Sequence, residues 1–316
     1  MQVEYREEPC RAALNRVAGM PFEWSLNPYM GCAHRCTFCY VRAFERRADR
    51  PSDERYGRSI RVKINVVAVL RRELARSGWK REHVAVGAAT DPYQPAEGRY
   101  RLTRGCLEAF AAARNPFSLI TRGPLVVRDI DVLRDAARRA EVSVNFSVPT
   151  LDPEVWRRTE PGTAPPAQRL RAVRALVDAG IKAGVGIAPI LPGLSDRPEQ
   201  LEAVVRAARE AGATHVWANV LFLRPGTREH FFDHLARDWP EELARYRDLY
   251  RGRAYLDRRT CEPILRQVTE LRARHEIADR RTAPLAPPPP EPAPEQLGLW
   301  HFGGVSEYPP DAPPHL

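Results

Sequence analysis

The chain has 316 residues, 43% of them hydrophobic, enough for one large α/β domain with an appendage or for two medium domains. Its formal net charge is +9, with arginine supplying all but three of 49 basic residues; this admits anionic partners such as nucleic acid, although basic residues dispersed along solvated helix faces give the same total. No apolar run approaches the roughly 20 residues of a membrane helix, and the charged start MQVEYREEPC holds no apolar signal segment. The expectation is a cytoplasmic protein, in whose reducing surroundings clustered cysteines mark a metal site rather than disulfides.

Residues 1–20 read as a lead-in, and 22–30 are short and mixed before the segment GCAHRCTFCY at 31–40. IRVKINVVAVLRRELAR (60–76) takes helical spacing toward its end. HVAVGAAT (83–90), bounded by Pro92, reads as a buried strand. TRGCLEAFAAAR (103–114) predicts a helix with Thr103 as its cap, FSLIT (117–121) a strand, and RDIDVLRDAARRA (128–140) an amphipathic helix. VSVNFSV (142–148) is a strand, the segment 165–180 a helix ending on Gly180, and IKAGVGIAPI (181–190) a strand. The segment 197–212 is a helix ending on Gly212, and THVWANVLFL (214–223) a strand. This alternation predicts a parallel sheet of about six strands curled into a full or partial barrel, with its chemistry at the C-terminal strand ends. The boundaries that follow are a barrel over 21–226, a charged helical extension over 227–282 and a proline-rich tail over 283–316.

Cys32, Cys36 and Cys39 fall within eight positions. Thiolates are the usual ligands of iron–sulfur clusters, and three of them hold three corners of a cubane while leaving one iron to an outside ligand. The competing reading is zinc on these cysteines and His34, but the spacing lacks the paired C-x2-C halves of most zinc folds.

CAHRCTFC, with Phe38 before its last cysteine, resembles the signature of the radical S-adenosylmethionine (radical SAM) family, and the likeness extends over roughly residues 25–225. Within that family the chain is most similar to spore photoproduct lyase and its relatives, through NPYMGCAHRCTFCY, ATDPYQP, ITRGPLVVRDIDVL, EPGT (160–163) with RLRAVRAL after it, and GVGIAPILPG. The resemblance implies a partial (β/α)6 barrel. It implies a [4Fe–4S] cluster on Cys32, Cys36 and Cys39, with S-adenosylmethionine on the open iron and a one-electron reductant of flavodoxin or ferredoxin type. Thr90 and Asp91 then face the SAM amino group, Arg122 its carboxylate, and Asn145 and Ser147 its ribose, while Phe38 and Tyr40 pack on the adenine. Each has a plainer alternative: a turn at Thr90–Asp91–Pro92, a solvated Arg122, polar barrel fillers at Asn145 and Ser147. The lyases carry a hydrogen-donating cysteine where this chain has Ala88, and Cys10, Cys106 and Cys261 match no such role. Tyr40 is the alternative hydrogen-transfer residue. The implied activity is a radical SAM enzyme, of lyase or transferase class, acting on an unknown substrate with nucleic acid foremost. The rival is a non-catalytic iron–sulfur or zinc protein recruited to DNA.

After the proline-rich linker, Gln296-Leu297-Gly298-Leu299-Trp300 resembles the short peptide that bacterial repair proteins insert into the DNA sliding clamp. Gln296 would bond a pocket rim while Leu297, Leu299 and Trp300 fill apolar pockets; the alternative is that Leu299 and Trp300 dock back on the barrel.

Overall fold

The structure, a computed structural model, describes residues 3–279. The tail and its clamp-like peptide lie outside the described residues. Strands β1 (Glu4–Glu8), β2 (Leu14–Arg16), β3 (Trp24–Leu26) and β4 (Tyr29–Met30) lead through the cysteine segment to helix α1 (Val41–Arg47), then β5 (Ser59–Lys63) and α2 (Val66–Leu74). The alternation follows: β6 (Val84–Val86), α3 (Pro95–Tyr100), α4 (Leu102–Ala113), β7 (Phe117–Thr121), α5 (Ile130–Arg139), β8 (Val142–Ser147), α6 (Pro153–Thr159), α7 (Pro166–Asp178), β9 (Lys182–Ile190), α8 (Pro198–Glu210) and β10 (His215–Val220). The chain then forms α9 (Thr227–Asp238), α10 (Leu243–Leu249), α11 (Arg258–Arg274) and β11 (Ala278–Asp279).

The main sheet runs β11-β10-β9-β8-β7-β6-β3-β2. Strands β3, β6, β7, β8, β9 and β10 are parallel, and these six are the partial barrel expected from the sequence. Their register aligns Leu26, Val86, Leu119, Val144 and Ala183 in one row across five strands, every one fully buried. Strands covered on both faces need such near-continuous apolar runs, which is why these segments read as apolar blocks rather than alternating strands.

The edges differ from expectation. The lead-in is built into the fold: β2 pairs antiparallel with β3, and β1 pairs parallel with β5 in a second sheet ordered β1-β5-β4. EYREE shows no apolar alternation because β1 is mostly exposed, so its pairing leaves little pattern to read. The C-terminal extension is not wholly helical, since β11 returns beside β10. Thr103 does not cap α4. It sits inside the helix, where its N–H donates to Glu97 Oε2 at 2.8 Å and its hydroxyl to the Pro92 carbonyl at 2.6 Å. No helix among the described residues is long and apolar enough to cross a membrane.

Candidate active site

The cysteine loop lies between β4 and α1, and the segments following β6, β7 and α6 brace it. Thr90 donates its hydroxyl to the Gly31 carbonyl at 2.6 Å. The Gln94 amide donates to the same carbonyl and to Thr90 Oγ1, and accepts from the Ala33 N–H at 3.0 Å. From the other side, Thr37 N donates to Thr159 O and Gly162 N to His34 O. A Cβ at Gly162 would stand 2.5 Å from the Ala33 carbonyl and 2.8 Å from His34 Cα, so the EPGT turn needs glycine to lie this close. Arg42, 1% exposed, donates to the Ser52 and Asp53 carbonyls and lies 4.6 Å over the Tyr56 ring. Tyr56 OH in turn stands 3.5 Å from Cys39 Sγ. At the start of α9, Thr227 donates to the Cys39 carbonyl.

All three cysteines are free; Cys32 and Cys36 are buried and Cys39 partly so. Burial pushes the Cys32 thiol well above its ordinary value, reinforced by Asp91 and by Cys36 and Cys39. Burial pushes Cys36 up to about 12 against the pull of Arg122. The three sulfurs are therefore electrostatically coupled, and Cys32 and Cys36 stay protonated until something replaces the protons. They do not all lie within 4.8 Å of one another. A single zinc, with Zn–S about 2.3 Å, would draw its sulfurs to about 3.8 Å. The donor set fits a larger group such as an iron–sulfur cluster better than one ion, and His34 is engaged elsewhere.

His34 Nδ1 lies 3.2 Å from Asp91 Oδ2, off the line of a good hydrogen bond. Asp91 also accepts from the Thr121 hydroxyl, the Arg122 N–H and the Tyr93 N–H, each at 2.7–2.9 Å. Burial works to raise the Asp91 carboxyl, yet His34, Thr121 and Arg122 outweigh it and hold it at about 2. Arg122 donates Nε to Glu160 at 2.6 Å and Nη2 to the Ala188 carbonyl, and its guanidinium lies 5.7 Å over the Phe38 ring. Arg169, fully buried, meets the other side of Glu160 at 3.1 and 3.2 Å and donates to the Ser147 carbonyl and Thr163 Oγ1.

Thr90, Asp91, Arg122, Phe38 and Ser147 are thus linked with the cysteine loop through one buried network. Asn145 stands apart from it: its Oδ1 meets His215 Nε2 at 2.9 Å, while its Nδ2 is buried without a hydrogen-bond partner. Gly184 lies between them, and a Cβ there would come within 2.2 Å of His215 Nε2. Glycine on β9 lets the imidazole of β10 cross to β8. The Tyr40 hydroxyl donates to the carbonyl of Ala88. Its ring begins an aromatic row: Phe44 and Phe222 flank it at 5.9 and 5.8 Å, and Phe222 stacks on Tyr255 at 5.0 Å and 17°. Tyr255 is 53% exposed, with Arg224 across its ring, so the row runs from the cysteine loop to solvent. Sequence reasoning assigned no role to Gln94, Glu160 or Arg169, although Glu160 and Arg169 stand inside the EPGT and RLRAVRAL stretches.

A family model for the radical SAM superfamily matches residues 26–202. An uncharacterized protein of Mycobacterium tuberculosis is 41% identical over 286 residues, 89% of this chain and 84% of the relative. An uncharacterized protein of Methanocaldococcus jannaschii is 24% identical over 222 residues, 69% of this chain and 77% of the relative. Among solved structures, spore photoproduct lyase complexed with dinucleoside spore photoproduct superposes with a TM-score of 0.65 at 15% identity, covering 86% of this chain and 79% of the lyase. A variant of that lyase with bound AdoMet and the same dinucleoside superposes equally well, again at 15% identity and 86% and 79% coverage. The superfamily uses a [4Fe–4S] cluster and S-adenosylmethionine. With three free cysteines at the mouth of six parallel strands and a family match over more than half its length, the chain belongs to the radical SAM superfamily.

Proposed function

We propose that this radical SAM enzyme abstracts hydrogen from a nucleic-acid substrate. The observation that carries the reading is the cysteine loop, braced by Thr90, Gln94 and the 159–163 turn, with an aromatic row leading from it to the surface. Flat stacking rings beside an arginine suit unpaired bases, and the net charge of +9 suits their phosphates. The lyase whose fold the barrel shares binds a dinucleoside photoproduct.

In this reading Cys32, Cys36 and Cys39 hold the [4Fe–4S] cluster. The chemistry supplied when it is bound is one-electron reductive cleavage of S-adenosylmethionine to a 5′-deoxyadenosyl radical. Arg122 takes the cofactor carboxylate with Nη1, the nitrogen its bonds to Glu160 and Ala188 leave over, because a guanidinium fork matches a carboxylate. Thr90 and Asp91 line the side of the amino group, and Asp91 acts there as a fixed negative charge. Asn145 Nδ2 and Ser147 serve the ribose, and Phe38 and Tyr40 wall the adenine. Ala88 offers no hydrogen donor, so Tyr40, bonded to the Ala88 carbonyl, is assigned to hydrogen transfer. Residues 21–226 are assigned as the catalytic unit, and the described part of the 227–282 extension as its cover. Residues 283–316 carry the sliding-clamp peptide, and a flavodoxin- or ferredoxin-like protein supplies the electron.

The test is anaerobic reconstitution with iron and sulfide, reduction, and assay of 5′-deoxyadenosine with and without damaged single-stranded DNA. Formation that depends on the cluster, rises with DNA and vanishes in the Cys32→Ala, Cys36→Ala, Cys39→Ala triple variant is expected. Stoichiometric zinc in place of a cluster would overturn the chemistry. Absence of salt-dependent DNA or RNA binding at low ionic strength would overturn the substrate class.

A further inference from the structure

Among the described residues, Glu54, His230 and His234 present a carboxylate oxygen and two ring nitrogens that all lie within 4.8 Å of one another. The two histidines are spaced i, i+4 on α9, which places them on one helix face with ring centroids 4.2 Å apart. Glu54 reaches them from the connection between α1 and β5. His234 Nδ1 must donate to the His230 carbonyl, 2.9 Å away, because a carbonyl only accepts. In the neutral ring that leaves Nε2 with a lone pair, and it faces Glu54 Oε1 at 3.2 Å. Two lone pairs at that distance repel unless a proton or a metal ion sits between them. Adjacent ligands of a tetrahedral zinc, each about 2.0–2.1 Å from the metal, stand about 3.3 Å apart, close to this spacing.

His230 supplies the second, independent observation. Its side chain is only 5% exposed, its Nδ1 is 4.0 Å from the same Glu54 Oε1, and its Nε2 is buried with no hydrogen-bond partner. Arg35 pairs with the other carboxylate oxygen, Glu54 Oε2, at 3.4 Å, leaving Oε1 turned to the histidines. The His234 N–H bond to a backbone carbonyl is the outer support that metal-bound imidazoles usually have.

We propose that Glu54, His230 and His234 form a second metal site, separate from the cysteine loop, that takes a divalent transition ion of the zinc class and leaves its fourth position to water. The site has a structural consequence. Glu54 belongs to the segment whose Ser52 and Asp53 carbonyls hold Arg42 and whose Tyr56 approaches Cys39. His230 lies one turn beyond Thr227, which holds the Cys39 carbonyl. An ion here staples the 52–56 segment to α9 and closes the wall behind Cys39 without touching the sulfurs. The proposal is independent of the radical reading.

The test titrates Zn2+ alone into two proteins. One is the full chain with its cluster reconstituted, so the clustered thiols are occupied; the other is the Cys32→Ala, Cys36→Ala, Cys39→Ala chain, which lacks that cluster of thiols and keeps only the separate Cys10, Cys106 and Cys261. One equivalent bound in both is expected, and Co2+ in the triple variant should give d–d absorption without thiolate charge transfer. Glu54→Gln and His234→Gln should each weaken zinc at least about 10-fold, the smaller end of what losing even an outer-shell partner costs. Glu54 is 53% exposed at its side chain, so Glu54→Gln leaves the fold intact and reads binding alone. No zinc retained by the triple variant, or full affinity in either substituted protein, overturns the site.

Discussion

Replacing Glu160 with glutamine tests whether the buried network is held by charge or only by shape. Glu160 is fully buried between Arg122, 19% exposed at its side chain, and Arg169, which is fully buried. Burial works to raise its carboxyl, but Arg169 and Arg122 together hold it below the ordinary glutamate value. Glutamine keeps the volume and one acceptor oxygen but removes the only negative charge between two guanidinium groups, and its amide points donors at donors. Removing one partner of a buried ion pair costs about 3–5 kcal/mol, because the partner's charge is left uncompensated. For a chain of this size that lowers Tm by roughly 6–20 °C, at about 2–4 °C per kcal/mol. Calorimetry of the cluster-free chain, compared with Glu154→Gln on the exposed face of α6, gives the reading; that surface pair is worth about 0.5 kcal/mol. A Glu160→Gln protein within about 1 kcal/mol of the parent would refute the charge argument. Because the folded carboxyl is depressed, its contribution is complete above the ordinary glutamate range and fades as pH falls through the lower folded value.

Asp91 gives a second pH signature. Its folded value of about 2, against an ordinary 3.8, corresponds to roughly 2 kcal/mol that is present above about pH 5 and lost toward pH 2. The stability gap between the parent and Asp91→Asn in the cluster-free chain should shrink over that window, and a gap independent of pH would exclude it. Gly184→Ala should cost about 1–3 kcal/mol by overpacking against His215, and His215→Ala in the same chain should return most of it; urea denaturation reads both. Tyr255→Ala should weaken single-stranded DNA by about 1–3 kcal/mol of stacking while leaving the salt slope unchanged, as fluorescence anisotropy at several ionic strengths would show. A changed slope with unchanged affinity at low salt would move the nucleic acid elsewhere.

The barrel was legible because parallel strands buried on both faces leave apolar blocks, as in FSLIT and VSVNFSV, and the helices between them carry helical spacing. The strands at the margins were not. β1 and β2 are too short and too exposed to show a period, and β11 has two residues. The cysteine spacing exposed the site itself, since three thiols in eight positions have few other uses. What braces it was hidden: nothing local in Gln94 says that it holds Gly31, 63 positions earlier, and Arg169 reaches Glu160 only because the turn between them folds back. The histidine pair was visible as HFFDH inside a charged helix, but its third partner, Glu54, lies 176 positions before His230 and only the fold brings it near.

The balance of charge at the mouth argues for the kind of group it receives. Asp91 lies 3.2 Å from His34 of the cysteine loop, and three donors from Thr121, Tyr93 and Arg122 already surround it. Glu160 answers two arginines with one charge, and the ionised Asp91 faces Arg122 with a second. Buried charges are costly unless they are paired, and here two carboxylates meet two guanidinium groups. Of the four, Arg122 is still 19% exposed and lies over Phe38 at the edge of the cysteine loop. In the proposed function this partly exposed guanidinium, beside the buried Cys32 and Cys36 thiols, is where a carboxylate-bearing cofactor would be met by a matching fork.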